Sequence, residues 1–207
     1  MEFLTADKGD FTTEIKRSEF IGKLVKVNSE EEAKSFINSV KKEHSLATHN
    51  CYAYIVFDNG VERVRYSDDG EPQGTAGLPI LNVLKNKGLR NVAVVVTRYF
   101  GGIKLGAGGL VRAYTEGCVA ACDNAKKYKC VLCSEVQIDF SYENYKKFSM
   151  FKITECHKQK SIEYGEKVTV NLLIKKDECD CFIARFEDFY NKKQAITRLN
   201  DSWSEFE

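Results

Sequence analysis

One stretch constrains the chain more than any other. Arg98-Tyr99-Phe100-Gly101-Gly102-Ile103-Lys104-Leu105-Gly106-Ala107-Gly108-Gly109-Leu110-Val111-Arg112 places five glycines in nine consecutive positions, directly behind the apolar run Val92 to Val96. Glycine weakens a regular element by about 0.5–1 kcal/mol per site relative to alanine, so this density needs a reason in positive φ or close backbone approach. Leu110, Tyr114, Cys118 and Cys122 then recur at helical spacing. The local order is therefore strand, glycine turn, helix, which aims free N–H groups and the helix dipole at one point ahead of the turn. Arg98, Lys104 and Arg112 put positive charge around that point. The segment has neither the Gly-Lys-Ser/Thr ending of a nucleotide P-loop nor the Gly-x-Gly-x-x-Gly spacing of a dinucleotide fold. Two readings stand: an anion-binding loop, or a tight turn that lets strand and helix pack closely.

A second cluster precedes it, Ser67-Asp68-Asp69-Gly70-Glu71-Pro72-Gln73-Gly74-Thr75-Ala76-Gly77, at the entrance to a helix expected over about Ala76 to Lys87. Its carboxylates suit a hydrated Mg²⁺, or simply a charged turn at a helix N-terminus, and they lack the alternating spacing of an EF-hand. If this loop faces the glycine loop, Ser67, Asp68, Asp69, Glu71, Gly74 and Thr75, together with His49, form a polar cleft with one acidic and one basic wall. His49 and Cys51 stand two apart at a strand start and share a face. A Cys/His nucleophile pair is one reading, a buried thiol beside a hydrogen-bonded histidine the commoner one, and no third member is identifiable. No catalytic residue, metal site or cofactor is assigned. Cys118, Cys122, Cys130 and Cys133 invite a zinc reading, but the first two lie on the apolar face of the helix with Tyr114, which favours structural thiols.

The remaining organisation follows from periodicity. Strands are expected at Phe11 to Lys16 and Phe20 to Val27, and Ser29 with Glu32 forms a capping box ahead of the apolar stripe Ala33, Phe36, Ile37 and Val40. Cys51 to Phe57 and Val61 to Tyr66 read as a hairpin about Asp58, Asn59 and Gly60. From about Cys130 the pattern changes. Val136, Ile138 and Phe140 alternate with polar residues, and a helix about Tyr145 to Phe151, a hairpin at Gly165 and Glu166, a helix with Phe182 and Phe186, and a last strand at Ala195 to Leu199 follow. The order β-α-β-β-α-β is ferredoxin-like. Domains are expected at 1–129 and 130–207. With 31 basic against 30 acidic residues the net charge is +1, which excludes global attraction to nucleic acid or anionic lipid. The first 129 residues hold 19 basic and 16 acidic, the rest 12 and 14, so the first half is the better candidate for meeting anions. No apolar run approaches the ~20 residues of a membrane span, and the first residues lack a leader's layout, so a cytoplasmic protein with cysteine thiols is expected.

The segments YSDDGEPQGTAGLPILNVL and VVVTRYFGGIKLGAGGLVRAY, from Tyr66 to Tyr114, with ATHNCYAY upstream, resemble the signature of the YigZ/IMPACT family. The resemblance covers essentially the whole chain, because bacterial members carry a second domain of this length. It implies an α+β protein of two domains. The first is a two-layer domain resembling domain IV of elongation factor G, and the second a ferredoxin-like domain resembling its domain V. It also implies a translation-linked role, since eukaryotic members regulate translation under starvation; they do so through a partner met with an additional RWD-type domain not recognised here. The leading expectation is a non-enzymatic regulator contacting RNA or the ribosome through Arg98, Tyr99, Phe100, Gly101, Gly102, Lys104, Gly106, Gly108, Gly109 and Arg112. The alternatives are a Mg-dependent enzyme acting on a nucleotide or small phosphorylated compound, and an adaptor that binds a protein of translation control through Tyr99 and Phe100.

Overall fold

The computed structural model describes residues 2–58, 61–148, 150–151, 157–190 and 195–206. The chain divides into two compact units, Phe3–Lys129 and Cys130–Glu207, the first two residues grouping with the second. Asn59 and Gly60, at the expected hairpin tip, lie outside the described residues.

The first unit contains most of β1 (Glu2–Ala6), then β2 (Gly9–Ile15), β3 (Ser18–Lys26), α1 (Glu30–Glu43), β4 (His49–Asp58), β5 (Val61–Ser67), α2 (Gly77–Asn86), β6 (Val92–Tyr99) and α3 (Ala107–Asn124). Sequence reading missed β1, a short strand with no apolar alternation to mark it. Strands β2-β3-β6-β4-β5 form one sheet in which each neighbouring pair is antiparallel. Strand β6 is central, and Val92 to Arg98 are buried without interruption. A strand with no polar alternation requires cover on both faces. It has that cover. Cys51, Ala53 and Ile55 of β4 and Val92, Val94 and Val96 of β6 pack with α2 and α3, whereas Tyr54, Val56, Ala93 and Val95 pack with Ala33, Ile37 and Val40 of α1. The unit is thus three layers, helix, sheet, helices, and not the expected two. Helix α1 starts at Ser29, whose Oγ accepts from Glu32 N–H at 3.1 Å, while Glu32 Oε2 reaches back to Asn28 N–H at 2.7 Å.

The second unit contains most of β7 (Lys127–Phe140), then α4 (Tyr142–Phe148), β8 (His157–Tyr164), β9 (Val168–Lys175), α5 (Cys179–Tyr190) and β10 (Ala195–Phe206). Strand β7 pairs with both β9 and β10, and β8 is the outer partner of β9. The chain order β7-α4-β8-β9-α5-β10 with the sheet order β10-β7-β9-β8 is the β-α-β-β-α-β plan. Val136, Ile138, Phe140, Val170 and Leu172 close a core with Phe148, Phe182 and Phe186. The opposite sheet face is polar, with Thr169 Oγ1 donating to Asp139 Oδ1 at 2.8 Å and Lys160 paired with Glu135 at 2.8 Å. Among the described residues no helix is long and apolar enough to cross a membrane.

Candidate functional site

Three segments of the first unit converge at one end of its sheet: the start of β4, the acidic loop before α2, and the glycine loop between β6 and α3. The register does the positioning, since Arg98 of β6 lies opposite Phe20 of β3 on one side and His49 of β4 on the other. A pocket of about 440 Å³ opens there, lined by His49, Glu71, Arg98, Phe100, Lys104 and the first residues of α3 among others.

Arg98 does not project outward as a phosphate contact, as the sequence suggested. It is only 5% exposed. Its Nη1 donates to Glu71 Oε1 at 2.7 Å, its Nη2 to Ser18 Oγ at 3.4 Å, and the guanidinium lies 5.6 Å from the Phe20 ring centre and 5.3 Å from that of Phe100. The physical reason is Glu71: its carboxylate has 3% side-chain exposure, and a buried carboxylate requires a buried counter-charge. Tyr114 Oη donates to the same Oε1 at 2.8 Å. Burial first, then the nearby Cys51 and Glu71, push that phenol far above its usual range. His49 Nδ1 lies 2.8 Å from the Asp69 carbonyl, so Nδ1 carries the proton, and Nε2 faces Glu71 Oε2 at 3.8 Å.

The acidic loop is engaged by protein donors. Asp68 Oδ1 accepts from the N–H groups of Ala76 and Gly77 at 3.0 and 2.8 Å, and Oδ2 from Gly74 N–H at 2.9 Å, which ties the loop to the start of α2. Asp69 Oδ1 pairs with Lys41 at 2.6 Å and Oδ2 accepts from Asn50 N–H at 2.7 Å. Ser67 Oγ accepts from Asp69 N–H, and Thr75 Oγ1 donates to Pro72 O. Of the expected cleft residues, His49 and Glu71 line the pocket, while Ser67, Asp68, Asp69, Gly74 and Thr75 build the loop that holds Glu71 in place. Among the described residues no cluster of His, Cys, Asp or Glu is arranged to hold a metal ion. Cys51 is buried, donates to Asp68 O at 2.9 Å, and is pushed up to about 12, chiefly by burial, so it is a poor nucleophile. Cys118 and Cys122 belong to the core.

The glycine loop is partly closed and partly open. Phe100 N–H donates to Thr48 Oγ1 at 3.0 Å and Gly101 N–H to Ser18 Oγ at 3.2 Å, so those two amides are already engaged. Gly101 is required by close approach: a Cβ there would stand 1.8 Å from Arg17 O. Gly106 caps α3 with φ 74°, which favours glycine, and no side chain caps the helix. The first helical bond is Leu110 N–H to Gly106 O at 2.9 Å, which leaves the N–H groups of Ala107, Gly108 and Gly109 without an acceptor inside the helix. Gly102, Lys104, Gly106, Ala107, Gly108 and Arg112 are exposed, and Arg112 Nε donates to Gly108 O at 3.2 Å. Tyr99 is directed away from this group, with Oη 3.0 Å from His44 Nδ1.

Sequence reading missed Ser18, Thr48 and the Tyr114 hydroxyl. For Tyr114 a signal existed, because a tyrosine on a buried helical face needs a partner for its hydroxyl. Ser18 and Thr48 are brought in by strand register alone.

Residues 16–122, more than half the chain and all of this site, match the Impact N-terminal domain. The chain is 37% identical to the IMPACT family member YvyE of Bacillus subtilis (strain 168), over 94% of this chain and 89% of that one. It is 47% identical to the IMPACT family member YigZ of Escherichia coli (strain K12), over 50% of this chain and 52% of that one. A crystal structure described only as that of a hypothetical protein superposes with a TM-score of 0.64 at 30% identity, covering 96% of this chain and 98% of that chain. A match of that length, centred on the segments that build the pocket, means that this protein belongs to the IMPACT family.

Proposed function

We propose that this protein is a non-enzymatic, translation-linked factor that seats a phosphate of RNA, on the ribosome, at the N-terminus of α3. The carrying observation is the uncapped start of α3: three N–H groups without intrahelical acceptors, two of them on the exposed residues Ala107 and Gly108, between Lys104 and Arg112. Backbone donors and the helix dipole favour an anion at such a terminus. The translation link draws on family membership. The carboxylates that a Mg-dependent enzyme would use are held by main-chain and lysine donors, which weighs toward binding over catalysis.

The test is RNA binding at several salt concentrations. Two cationic contacts on a single strand give a log–log slope of about −1.4, and Lys104→Ala/Arg112→Ala flattens it towards zero. Unchanged affinity and slope in the double variant would overturn the reading.

A further inference from the structure

The recess behind this helix terminus has chemistry that a phosphate alone does not use. Arg98 is only 5% exposed, it lines the pocket, and its buried Nε–H has no acceptor among the described residues. A buried donor left open costs about 1–3 kcal/mol, so a partner for it is favoured. Beside it, Glu71 accepts from Arg98 and Tyr114 at Oε1, while among the described residues Oε2 faces His49 Nε2 at 3.8 Å. One wall therefore holds a buried donor without a partner and a carboxylate oxygen with acceptor capacity to spare. Phe100, 45% exposed and backed by the Arg98 guanidinium, presents a ring, and Leu105 and Leu110 present aliphatic surface. The volume of about 440 Å³ lies within the range of about 300–1,000 Å³ for small-ligand sites.

We infer that the pocket binds a nucleoside monophosphate unit, its phosphate at the α3 amides beside Lys104 and its base against Phe100 with a polar edge toward Glu71 and Arg98. This rests on the phosphate reading of α3 but adds the base. A planar group with adjacent donor and acceptor on its edge, joined to an anion, matches a ring surface, a donor–acceptor wall and a helix terminus together; an inorganic anion uses only the last. The unit has two sources, a free nucleotide or the 5′-phosphorylated end of an RNA strand.

Isothermal titration with AMP, ribose 5-phosphate and inorganic phosphate, and competition by a 5′-phosphorylated or a 5′-hydroxyl RNA decamer, tests it. AMP is expected to bind about tenfold more tightly than ribose 5-phosphate, the margin of one base stacked on an aromatic ring. Phe100→Ala removes that margin, Phe100→Tyr keeps it, and Lys104→Ala weakens the three phosphate ligands alike; circular dichroism confirms that each variant is folded. Displacement of AMP by the phosphorylated decamer alone assigns the site to RNA ends, and failure of both decamers to displace it assigns the site to free nucleotides. The inference is overturned if AMP binds no better than ribose 5-phosphate, or if Phe100→Ala leaves the margin intact. RNA binding that still depends on Lys104 and Arg112 would then preserve the phosphate reading without the base pocket, whereas loss of both would remove the two together.

Discussion

The ion pair of Arg98 and Glu71 should govern the stability of the first unit. Arg98→Ala removes the charge that faces Glu71 at 2.7 Å, with 3% side-chain exposure for the glutamate, and leaves that carboxylate with Tyr114 and a histidine 3.8 Å away. Breaking a buried pair on one side costs about 3–5 kcal/mol. The pair is imperfectly satisfied, however, since Arg98 Nε and Glu71 Oε2 carry no hydrogen bond among the described residues. Replacing both partners by apolar residues of similar volume, Arg98→Met with Glu71→Leu, should therefore recover part of the loss, because the methionine keeps contact with the Phe20 and Phe100 rings and no charge is left buried, while the buried Tyr114 hydroxyl, deprived of its acceptor, accounts for the part not recovered. Urea unfolding followed by circular dichroism, with hydrogen exchange at β6 amides assigning the transition to the first unit, measures both. A loss below about 1 kcal/mol in the single variant, or a double variant weaker than the single, would refute the account of Arg98 as the buried counter-ion of Glu71.

Three further outcomes are expected. Asp68→Ala strips the acceptor from the N–H groups of Gly74, Ala76 and Gly77 and should cost about 2–4 kcal/mol in chemical unfolding, with Asp68→Asn losing less. Gly101→Ala should lower the melting temperature far more than Gly102→Ala: the first drives a Cβ to 1.8 Å from Arg17 O, while the second meets open space and bears only the strain of φ 84°, about 1–2 kcal/mol. In the alkaline range, Cys51 and Tyr114 have folded values raised above their unfolded ones, so their contribution is complete below about pH 9 and is lost as pH rises toward 12. The urea midpoint of the first unit should fall between those limits, and the fall should be shallower in Cys51→Ala; in the native protein the exposed Cys181 should alkylate well before Cys51.

The local elements were legible in the chain itself. The unbroken apolar run of β6, the five glycines behind it and the stripe from Leu110 to Cys122 each follow a period that short-range sterics enforce. The open start of α3 belongs to this class, because glycine density and the absence of a capping side chain are both local facts. Destinations were not legible. Asp68, Asp69 and Glu71 stand within four positions, yet positive φ at Asp69 and Gly70 turns the chain between them and sends one carboxylate to the start of α2, one to Lys41 and Asn50, and one into the pocket. Arg98 illustrates the same division. Its charge next to a glycine loop is a sequence fact, but whether it meets solvent or a buried glutamate depends on the register that places β6 between β3 and β4, set by residues some 50 and 80 positions earlier. The second helical layer over the sheet, formed by α1, has the same cause. Periodicity records that a surface needs cover; which segment covers it, and which charges are shut in as a result, is settled only when distant strands pair and desolvation selects the partners.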